Sequence, residues 1–248
     1  SDLQGGFRAE RGTVDQMIIL NEIITSRWER ATPTFTAFVD VAKAYDKVWR
    51  PGLWHKLQEA GTDPQILAVL RLMYRSVVRR VLVRGQLTDS FEVDLGVPQG
   101  AVLSPFLYAH YINGLHASLD LRAKGLGVWI AGRLVPLLFY ADDIVLLADN
   151  QAALTASLRV LEDYARKWRF QVNHGKSNVV VFGNRAAKKA AHQQEWLFEN
   201  EPVEVVDMYK YLGMDFTNTP GRQMESYALP HVLSLSLSLS IYLSIYLS

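Results

Sequence analysis

Two adjacent carboxylates, Asp142 and Asp143, stand in the stretch LVPLLFYADDIVLLAD (residues 134–149) between two apolar runs. These runs are typical of short strands that are packed on both faces. The simplest interpretation is a hairpin turn, which aspartate suits, although Asp-Asp lacks the glycine that the tightest hairpin turns favour. Two neighbouring like charges repel, and burial strengthens the repulsion. A bound cation would relieve it, so the pair predicts metal chemistry if the chain supplies further oxygen ligands.

A third carboxylate follows the same pattern earlier in the chain. In FTAFVDVAKAYDKVW (residues 35–49) an apolar strand runs into Asp40, and Asp46 follows after a break. Asp40 alone could simply cap the next segment. Mg²⁺, however, prefers oxygen ligands and usually takes one or two protein carboxylates plus substrate phosphates. Because two such ions, about 4 Å apart, stabilise both oxygens of a phosphoryl transfer, the three carboxylates predict two-metal transfer from a nucleotide triphosphate.

The elements that must position these carboxylates mix helices with antiparallel strands and show no regular strand–helix–strand alternation. This order indicates an α+β fold. Thr13, Ser104 and Asn150 are predicted helix caps. The predicted helices cover residues 13–31, 51–60, 64–75, 104–121 and 150–170, and 185–200 is a partly helical connector. The predicted strands cover 34–39, 77–83, 90–95, 127–130, 134–140, 144–148, 177–182, 203–206 and 209–216.

The composition bounds the class of protein. The chain has 248 residues, of which 49% are hydrophobic and 21% are charged, which suits one large globular domain or two small ones. The net charge of +1 signals no nucleic-acid partner, so such a partner must be recognised by local patches. The absence of cysteine excludes disulfides and thiolate metal sites. We expect neither a transmembrane segment nor a signal peptide, which leaves nucleus or cytoplasm open.

The last residues differ in character from the rest of the chain. Residues 234–248 read SLSLSLSIYLSIYLS. Short nucleotide repeats encode such a pattern, so we predict a low-complexity, disordered tail over residues 232–248 that follows a linker over 217–231. The alternative is an amphipathic edge strand, which the period of two permits.

Five sequence boxes occur in one order: FVDVAKAYD, GVPQGAVLSP, FYADDIVLLAD, NHGKSNVVVF and YKYLG, preceded by GFRAERGTVDQ. This series resembles the motifs of reverse transcriptases, and the leading segment resembles that of the non-LTR (LINE-type) retrotransposon enzymes. The resemblance covers Gln4 to about Phe216. It implies a right-hand polymerase fold, with part of the fingers and most of an antiparallel palm sheet with packed helices in residues 1–216. We expect no thumb among these residues.

The resemblance also implies a metal site. Asp40, Asp142 and Asp143, with the backbone of Val41, resemble the ligands of two Mg²⁺ ions, for which Mn²⁺ is a possible substitute. Lys176 stands where the family carries a lysine that protonates the leaving pyrophosphate.

The remaining roles that the resemblance implies concern nucleotide, template and primer. Tyr45 resembles the aromatic residue that leaves no room for a 2′-hydroxyl, although a core tyrosine is the common alternative. Gln99, between glycines that permit close backbone approach to a ligand, would touch the incoming nucleotide or the template base; a plain turn is the alternative. Arg8 and Arg11 resemble triphosphate ligands or belong to a solvated face. The segment Tyr211, Leu212 and Gly213 resembles the hairpin that positions the primer end, or is an ordinary strand.

One basic segment lies outside the boxes. RLMYRSVVRRVLVR (residues 71–84) carries five arginines and no acid. Arg79 and Arg80 could face a template backbone, where such contacts give affinity without sequence preference. The alternative is a solvated face.

Taken together, these features predict an RNA-directed DNA polymerase that joins dNTPs to a DNA primer on an RNA template. Two alternatives remain open: an inactive relic of a retrotransposon, and a reverse transcriptase of the group II intron type. RNA-dependent RNA polymerases share the palm, but Tyr45 favours deoxynucleotides.

Overall fold

The computed structural model describes Gly6 and residues 12–119, 125–130 and 132–218. Arg8, Arg11, most of the predicted linker and the whole predicted tail lie outside these residues. The helices are α1 (Thr13–Glu29), α2 (Arg50–Glu59), α3 (Pro64–Met73), α4 (Ser104–Leu119), α5 (Gln151–Trp168) and α6 (Arg185–Gln193). Within the described residues, none of them is long and apolar enough to cross a bilayer.

The strands are short outside the central sheet, and a 3₁₀ turn (His174–Lys176) precedes one of the central strands. They are β1 (Thr34–Asp40), β2 (Val78–Arg79), β3 (Leu82–Val83), β4 (Gln86–Leu87), β5 (Phe91–Glu92), β6 (Val128–Ile130), β7 (Arg133–Val135), β8 (Leu137–Tyr140), β9 (Asp143–Ala148), β10 (Asn178–Phe182), β11 (Leu197–Phe198), β12 (Glu201–Pro202), β13 (Glu204–Val205), β14 (Met208–Tyr211) and β15 (Met214–Thr217).

A five-stranded sheet with the order β13-β10-β1-β9-β8 forms the framework. β1 pairs antiparallel with both β9 and β10, β8 pairs antiparallel with β9, and β13 joins parallel to β10. The predicted mixture of helices and antiparallel strands is therefore present, with one parallel pair at an edge. Because β1 is central and paired on both sides, the sheet itself holds its last residue, Asp40.

Both faces of this sheet are buried, which explains why its strands read as continuous apolar runs. On one face, Phe35, Ala37 and Val39 of β1 share a core with side chains of α2, α4 and α5. On the other face, Phe38 shares a second core with α1 and with the β14–β15 hairpin. Because alternate residues of a strand point to opposite faces, Asp40 projects on the same face as Phe38 and the hairpin.

The helix ends agree with the predicted caps in part. Asn150 caps α5 as predicted, since its side chain accepts the backbone N–H of Ala153 at 2.9 Å. The predicted Thr13 cap is wrong, because Gly12 precedes the first turn of α1 and donates its N–H to the Asp15 carboxylate at 2.7 Å. Ser104 is the first residue of α4 rather than a cap before it.

Three predicted strands, 77–83, 134–140 and 209–216, are divided in the structure. The stretch 134–140 breaks into β7 and β8 at Pro136, which has no N–H to continue a ladder. The stretch 209–216 folds back on itself as the β14–β15 hairpin, which turns at Leu212 and Gly213, both with positive φ. The predicted strands 77–83 and 90–95 contribute β2 and β5, which pair with each other, and β3 pairs with β4 at the tip of this hairpin.

Candidate active site

The register of the central strands brings the predicted carboxylates together. Asp40, the last residue of β1, pairs directly with Asp143, the first residue of β9. Directly opposed residues of an antiparallel pair project to the same face, with Cβ atoms about 4.5–5.5 Å apart. Asp142 lies one residue earlier, in the turn between β8 and β9, where Ala141 has a φ of 55°. Asp142 thus belongs to the turn and Asp143 to the strand, and both lie within electrostatic reach of Asp40.

Burial and mutual repulsion disfavour the charged forms of Asp142 and Asp143. Burial, and then the charges of Asp142 and Asp40, raise the pKa of Asp143 to about 6. The pKa of Asp142 is also raised, mainly by burial and further by Asp40. The ammonium of Lys176 acts in the opposite direction on both groups, so it stands within electrostatic reach of them. Like charges directly opposite one another destabilise a sheet, and a bound cation would remove that cost.

The segment from Asn173 to Ser177 holds Asp40 by its backbone. The Asp40 carbonyl accepts the N–H of Asn173 at 2.8 Å. The Asp40 N–H donates to Oγ of Ser177 at 3.1 Å, and that hydroxyl donates to the Asn173 carbonyl at 2.8 Å. Because Ser177 is only 1% exposed, these bonds are shielded from water. They fix the exposed Lys176, one residue before Ser177, beside the end of β1.

The β14–β15 hairpin reaches the same place from the other side. The ring of Tyr209 stacks on Phe38 with centroids 4.3 Å apart and an interplanar angle of 15°. Its hydroxyl donates to the Lys176 carbonyl at 3.0 Å. Burial, and then the charges of Asp143 and Asp40, raise the pKa of Tyr209 to about 12. The hairpin therefore contacts the strand that ends in Asp40 and the turn that carries Lys176.

The turn after β1 places Tyr45 near the carboxylates. Tyr45 is half-buried, and its ring stacks on Tyr108 of α4 with centroids 5.0 Å apart and an interplanar angle of 25°. Burial and the charge of Asp142 raise the pKa of Tyr45 and, more strongly, that of the buried Tyr108. The Tyr45 ring is thus neither wholly in the core nor free in solvent, but held on one side by a second aromatic ring.

The GVPQG loop (residues 96–100) is joined to the same turn by backbone contacts. Gly96 donates its N–H to the Val48 carbonyl at 2.9 Å and has a φ of 80°. A Cβ on Gly96 would lie 2.6 Å from the Asp46 carbonyl oxygen, so only glycine fits. At Gly96 this close approach is to protein backbone, whereas a Cβ on Gly100, next to Gln99, would meet nothing within 4 Å. Gln99 itself is exposed at the next turn.

The two arginines predicted to face a template have different surroundings. Arg79 forms an ion pair with Asp46 at 3.7 Å, which joins β2 to the turn after β1. Arg80 is exposed and forms no ion pair within the described residues. Although the segment 71–84 contains no acid, the fold brings Asp46 from another part of the sequence to Arg79.

The predicted primer segment is divided between core and surface. Tyr211 is 1% exposed, and it packs against Phe38 and Phe216 with centroids 5.7 and 6.2 Å away. Leu212 and Gly213 form the turn of the hairpin, and Gly213 is exposed. The side chain of Tyr211 is therefore part of the core, and only the turn faces solvent.

Comparison with known families matches this chain to one of them. Residues 1–216 match the family model described as reverse transcriptase (RNA-dependent DNA polymerase). The chain belongs to the reverse transcriptase family. The match covers all five sequence boxes and ends at the last core residue of the β14–β15 hairpin, Phe216.

Curated relatives of this family member include proteins of non-LTR retrotransposons. The chain is 31% identical over 221 residues to the probable RNA-directed DNA polymerase from transposon BS of Drosophila melanogaster, covering 86% of this chain and 23% of the relative. It is 26% identical over 217 residues to the RNA-directed DNA polymerase from mobile element jockey of Drosophila melanogaster, covering 85% and 22%. A type-1 R2 element protein of Popillia japonica is 30% identical over 175 residues, covering 70% and 24%. The chain thus spans about a fifth of the length of these relatives.

Solved structures of telomerases share the fold. Telomerase from Candida albicans, determined in complex with a TWJ fragment of telomeric RNA, matches with a TM-score of 0.59 at 17% identity, covering 87% of this chain and 35% of that one. Apo telomerase from Candida tropicalis matches with a TM-score of 0.57 at 14% identity, covering 88% and 36%. At this level of identity the likeness concerns the fold alone.

Several residues that surround the predicted carboxylates were assigned no role from the sequence. Asn173 and Ser177 lie in the box NHGKSNVVVF, and Tyr209 lies in YKYLG, so the boxes marked their segments but not their partners. Tyr108 lies just beyond the box GVPQGAVLSP. Arg50 carried no signal at all. It is 6% exposed and donates to the carbonyls of Gly96, Tyr74 and Leu95 at 2.9, 3.1 and 3.2 Å, which supports the loop that carries Gln99.

Proposed function

We propose that this chain is the core of an RNA-directed DNA polymerase, with part of the fingers and most of the palm of a right-hand polymerase in residues 1–216. The single observation that carries this proposal is the pairing of Asp40 with Asp143 across two central strands, with Asp142 in the adjoining turn. Family membership supports the class of reaction. Residues 217–231 and 232–248 are proposed as a linker and a low-complexity tail.

Carboxylate and carbonyl oxygens are the donors that hard divalent cations such as Mg²⁺ prefer. Asp40, Asp142 and Asp143 are the proposed ligands of two Mg²⁺ ions, or of Mn²⁺ in their place, together with the backbone carbonyl of Val41. At the Val41–Val172 bridge, the Asp40 carbonyl accepts the N–H of Asn173, and the Ala42 N–H donates to the Gln171 carbonyl. These bonds do not use the Val41 carbonyl, which is the oxygen proposed as a ligand.

Substrate would complete the coordination of these ions. Within the described residues, no three acidic, histidine or cysteine side chains are arranged to hold a metal ion. The proposal therefore assigns the remaining ligand positions to oxygens of substrate phosphate and water. Bound metal would polarise the α-phosphate and neutralise charge on both oxygens of the displacement.

The reaction is a nucleotidyl transfer. The 3′-oxygen of a primer forms a bond to the α-phosphorus of a dNTP, the bond from that phosphorus to the bridging oxygen breaks, and pyrophosphate leaves. The primer hydroxyl loses its proton to solvent. We assign Lys176 the transfer of a proton from its ammonium to the leaving pyrophosphate. Its position beside the end of β1 supports that role.

The nucleotide would lie over Tyr45. Because Tyr108 supports one face of its ring, Tyr45 can act as a fixed wall against a 2′-hydroxyl and so select deoxynucleotides. Gln99 is proposed to contact the incoming nucleotide or its template base from the exposed turn of the GVPQG loop. Arg8 and Arg11, outside the described residues, are proposed triphosphate ligands.

Template and primer would contact the two hairpins. Arg80 offers an exposed charge for a template phosphate, and Arg79 is proposed to share its charge between Asp46 and the template. The Leu212–Gly213 turn is proposed to position the primer end, supported by the Tyr211 side chain in the core beneath it.

Primer extension tests the proposal. The full chain is incubated with a DNA primer annealed to an RNA template, dNTPs and Mg²⁺, and the wild-type chain should extend the primer. We expect Asp143→Asn and Asp142→Asn each to lower the rate by at least a hundredfold, because each removes a metal ligand.

Asp163→Asn is the matched control, since Asp163 is an exposed acid of α5 that pairs with Arg166 at 3.2 Å. It should extend at the wild-type rate. Extension by the Asp143→Asn variant at the wild-type rate would refute the assignment of the site. Absence of extension by the wild-type chain, despite binding of Mn²⁺ that depends on Asp143, would favour the inactive relic instead.

A further inference from the structure

Within the described residues, the ammonium of Lys176 forms no hydrogen bond or ion pair, although its charge acts on Asp142 and Asp143. Lys176 is exposed and lies at the end of a three-residue 3₁₀ turn. The position of its ammonium therefore depends on the contacts of the backbone of that turn. On one side the turn is bound to β1, because Asn173 and Ser177 form hydrogen bonds with Asp40.

On the other side, a hydroxyl of the β14–β15 hairpin contacts the backbone of the turn. Tyr209 donates from that hydroxyl to the carbonyl of Lys176 itself at 3.0 Å. The same ring lies flat on Phe38, two residues before Asp40 on the same face of β1. Tyr209 thus contacts both the strand that ends in a carboxylate and the residue that carries the cation.

We propose that Tyr209 is a positioning residue that couples the seating of the β14–β15 hairpin to the placement of Lys176. This inference rests on the proposed function, in which Lys176 supplies a proton and the Leu212–Gly213 turn of the hairpin meets the primer. The two strands of the hairpin are paired over four residues each. A displacement of the turn is therefore transmitted to Tyr209, only three residues before Leu212.

The consequence is that proton transfer by Lys176 depends on the position of the β14–β15 hairpin. When the hairpin is seated, the stacked ring and its hydroxyl hold the Lys176 backbone against the end of β1. When the hairpin is displaced, the Lys176 carbonyl loses its donor while Asp40 keeps its bonds to Asn173 and Ser177. Displacement therefore weakens proton transfer without dismantling the carboxylates. A misplaced primer end would slow the chemical step in this way.

A double-mutant cycle tests the coupling. Tyr209→Phe removes the hydroxyl and keeps the ring on Phe38, and Lys176→Ala removes the ammonium. In single-turnover extension with saturating dNTP, Tyr209→Phe should lower the rate about two- to tenfold, the worth of one hydrogen bond. The KM for dNTP and the affinity for Mn²⁺ should stay at the wild-type values. In the Lys176→Ala background the same change should have no further effect, because Tyr209 acts through Lys176.

The control cycle replaces Lys176→Ala with Lys189→Ala, since Lys189 is exposed on α6. Here Tyr209→Phe should keep its full effect. A loss that is the same in the Lys176→Ala and wild-type backgrounds would overturn the proposal, because it would show a general structural role. An unchanged rate in Tyr209→Phe alone would overturn it as well.

A second measurement does not depend on activity. Amide hydrogen exchange of the turn reports on its backbone, where the N–H of Lys176 donates to Asn173 at 3.1 Å and that of Ser177 to His174 at 3.3 Å. We expect Tyr209→Phe to speed exchange at these two amides at least threefold and to leave the amides of α5 unchanged. Unchanged exchange at the turn would overturn the coupling even if the chain proves inactive. Faster exchange in an inactive chain would support the coupling and refute only the proposed function.

Discussion

Lys56 of α2 is a buried amine whose lowered pKa makes the stability of the chain depend on pH. It is 8% exposed, its ammonium donates to the Tyr164 hydroxyl at 2.6 Å and to the Tyr111 carbonyl, and it lies 3.8 Å from the centroid of the Trp168 ring. It forms no ion pair within the described residues. Burial, and then the charge of Lys167, lower the pKa of Lys56 from the usual 10.5 to about 7.

The sign of the effect follows from these two pKa values. Between pH 7 and 10.5 the unfolded chain holds the Lys56 proton while the folded chain releases it, so the free energy of unfolding rises with pH. A tenfold difference in proton affinity is worth about 1.4 kcal/mol. From pH 6.5 to 9.0 we therefore expect the free energy of unfolding to gain about 2.5 kcal/mol from this one group.

Lys56→Met tests this directly, since methionine fills a similar volume and does not titrate. Urea unfolding of the full chain, followed by tryptophan fluorescence at several pH values, measures the free energy of unfolding. Lys189→Met, a change at an exposed lysine of α6, is the matched control and should retain the wild-type rise. The free energy of unfolding of Lys56→Met minus that of wild type should rise by about 2.5 kcal/mol as the pH falls from 9.0 to 6.5. A constant difference across this range would refute the reasoning.

Three shorter predictions concern the site and its supports. Folding raises the pKa of Asp143 from the usual 3.8 to about 6, so ionisation of Asp143 lowers the free energy of unfolding as the pH rises through that interval. At pH 7 without divalent cations, Asp143→Asn should therefore raise Tm by about 3–6 °C, allowing for the partial exposure of the side chain. A lowered Tm would contradict this prediction. Gly96→Ala should lower the free energy of unfolding by more than about 2 kcal/mol in urea titrations, because of its φ of 80° and the 2.6 Å approach to Asp46; a wild-type midpoint would refute the contact. Arg50→Lys should cost about 2 kcal/mol and expose residues 94–98 to limited proteolysis, because lysine cannot reach three carbonyls at once; unchanged proteolysis at that loop would show that Arg50 does not hold it.

The sequence alone indicated the family and most of the local elements. Apolar strands that run into Asp40 and up to Asp142 predicted carboxylates at strand ends, and the register of β1 and β9 agrees with that prediction. The ordered boxes indicated the reverse transcriptase family, which the family comparison confirms. These features are readable because they depend on neighbours within a few residues: a run of apolar side chains, a cap, or a box of fixed spacing.

Only the tertiary structure decided which residues support the acids. Ser177 lies 137 residues from Asp40, and its hydroxyl holds the Asp40 backbone. Tyr209 lies 33 residues from Lys176 and donates to its carbonyl. Pro136 and the Leu212–Gly213 turn also divided two predicted strands, since apolar alternation continues across such a break. Hydrogen bonds between distant segments leave no periodic trace, because each needs only one donor and one acceptor, and the fold alone determines which of the many candidates meet.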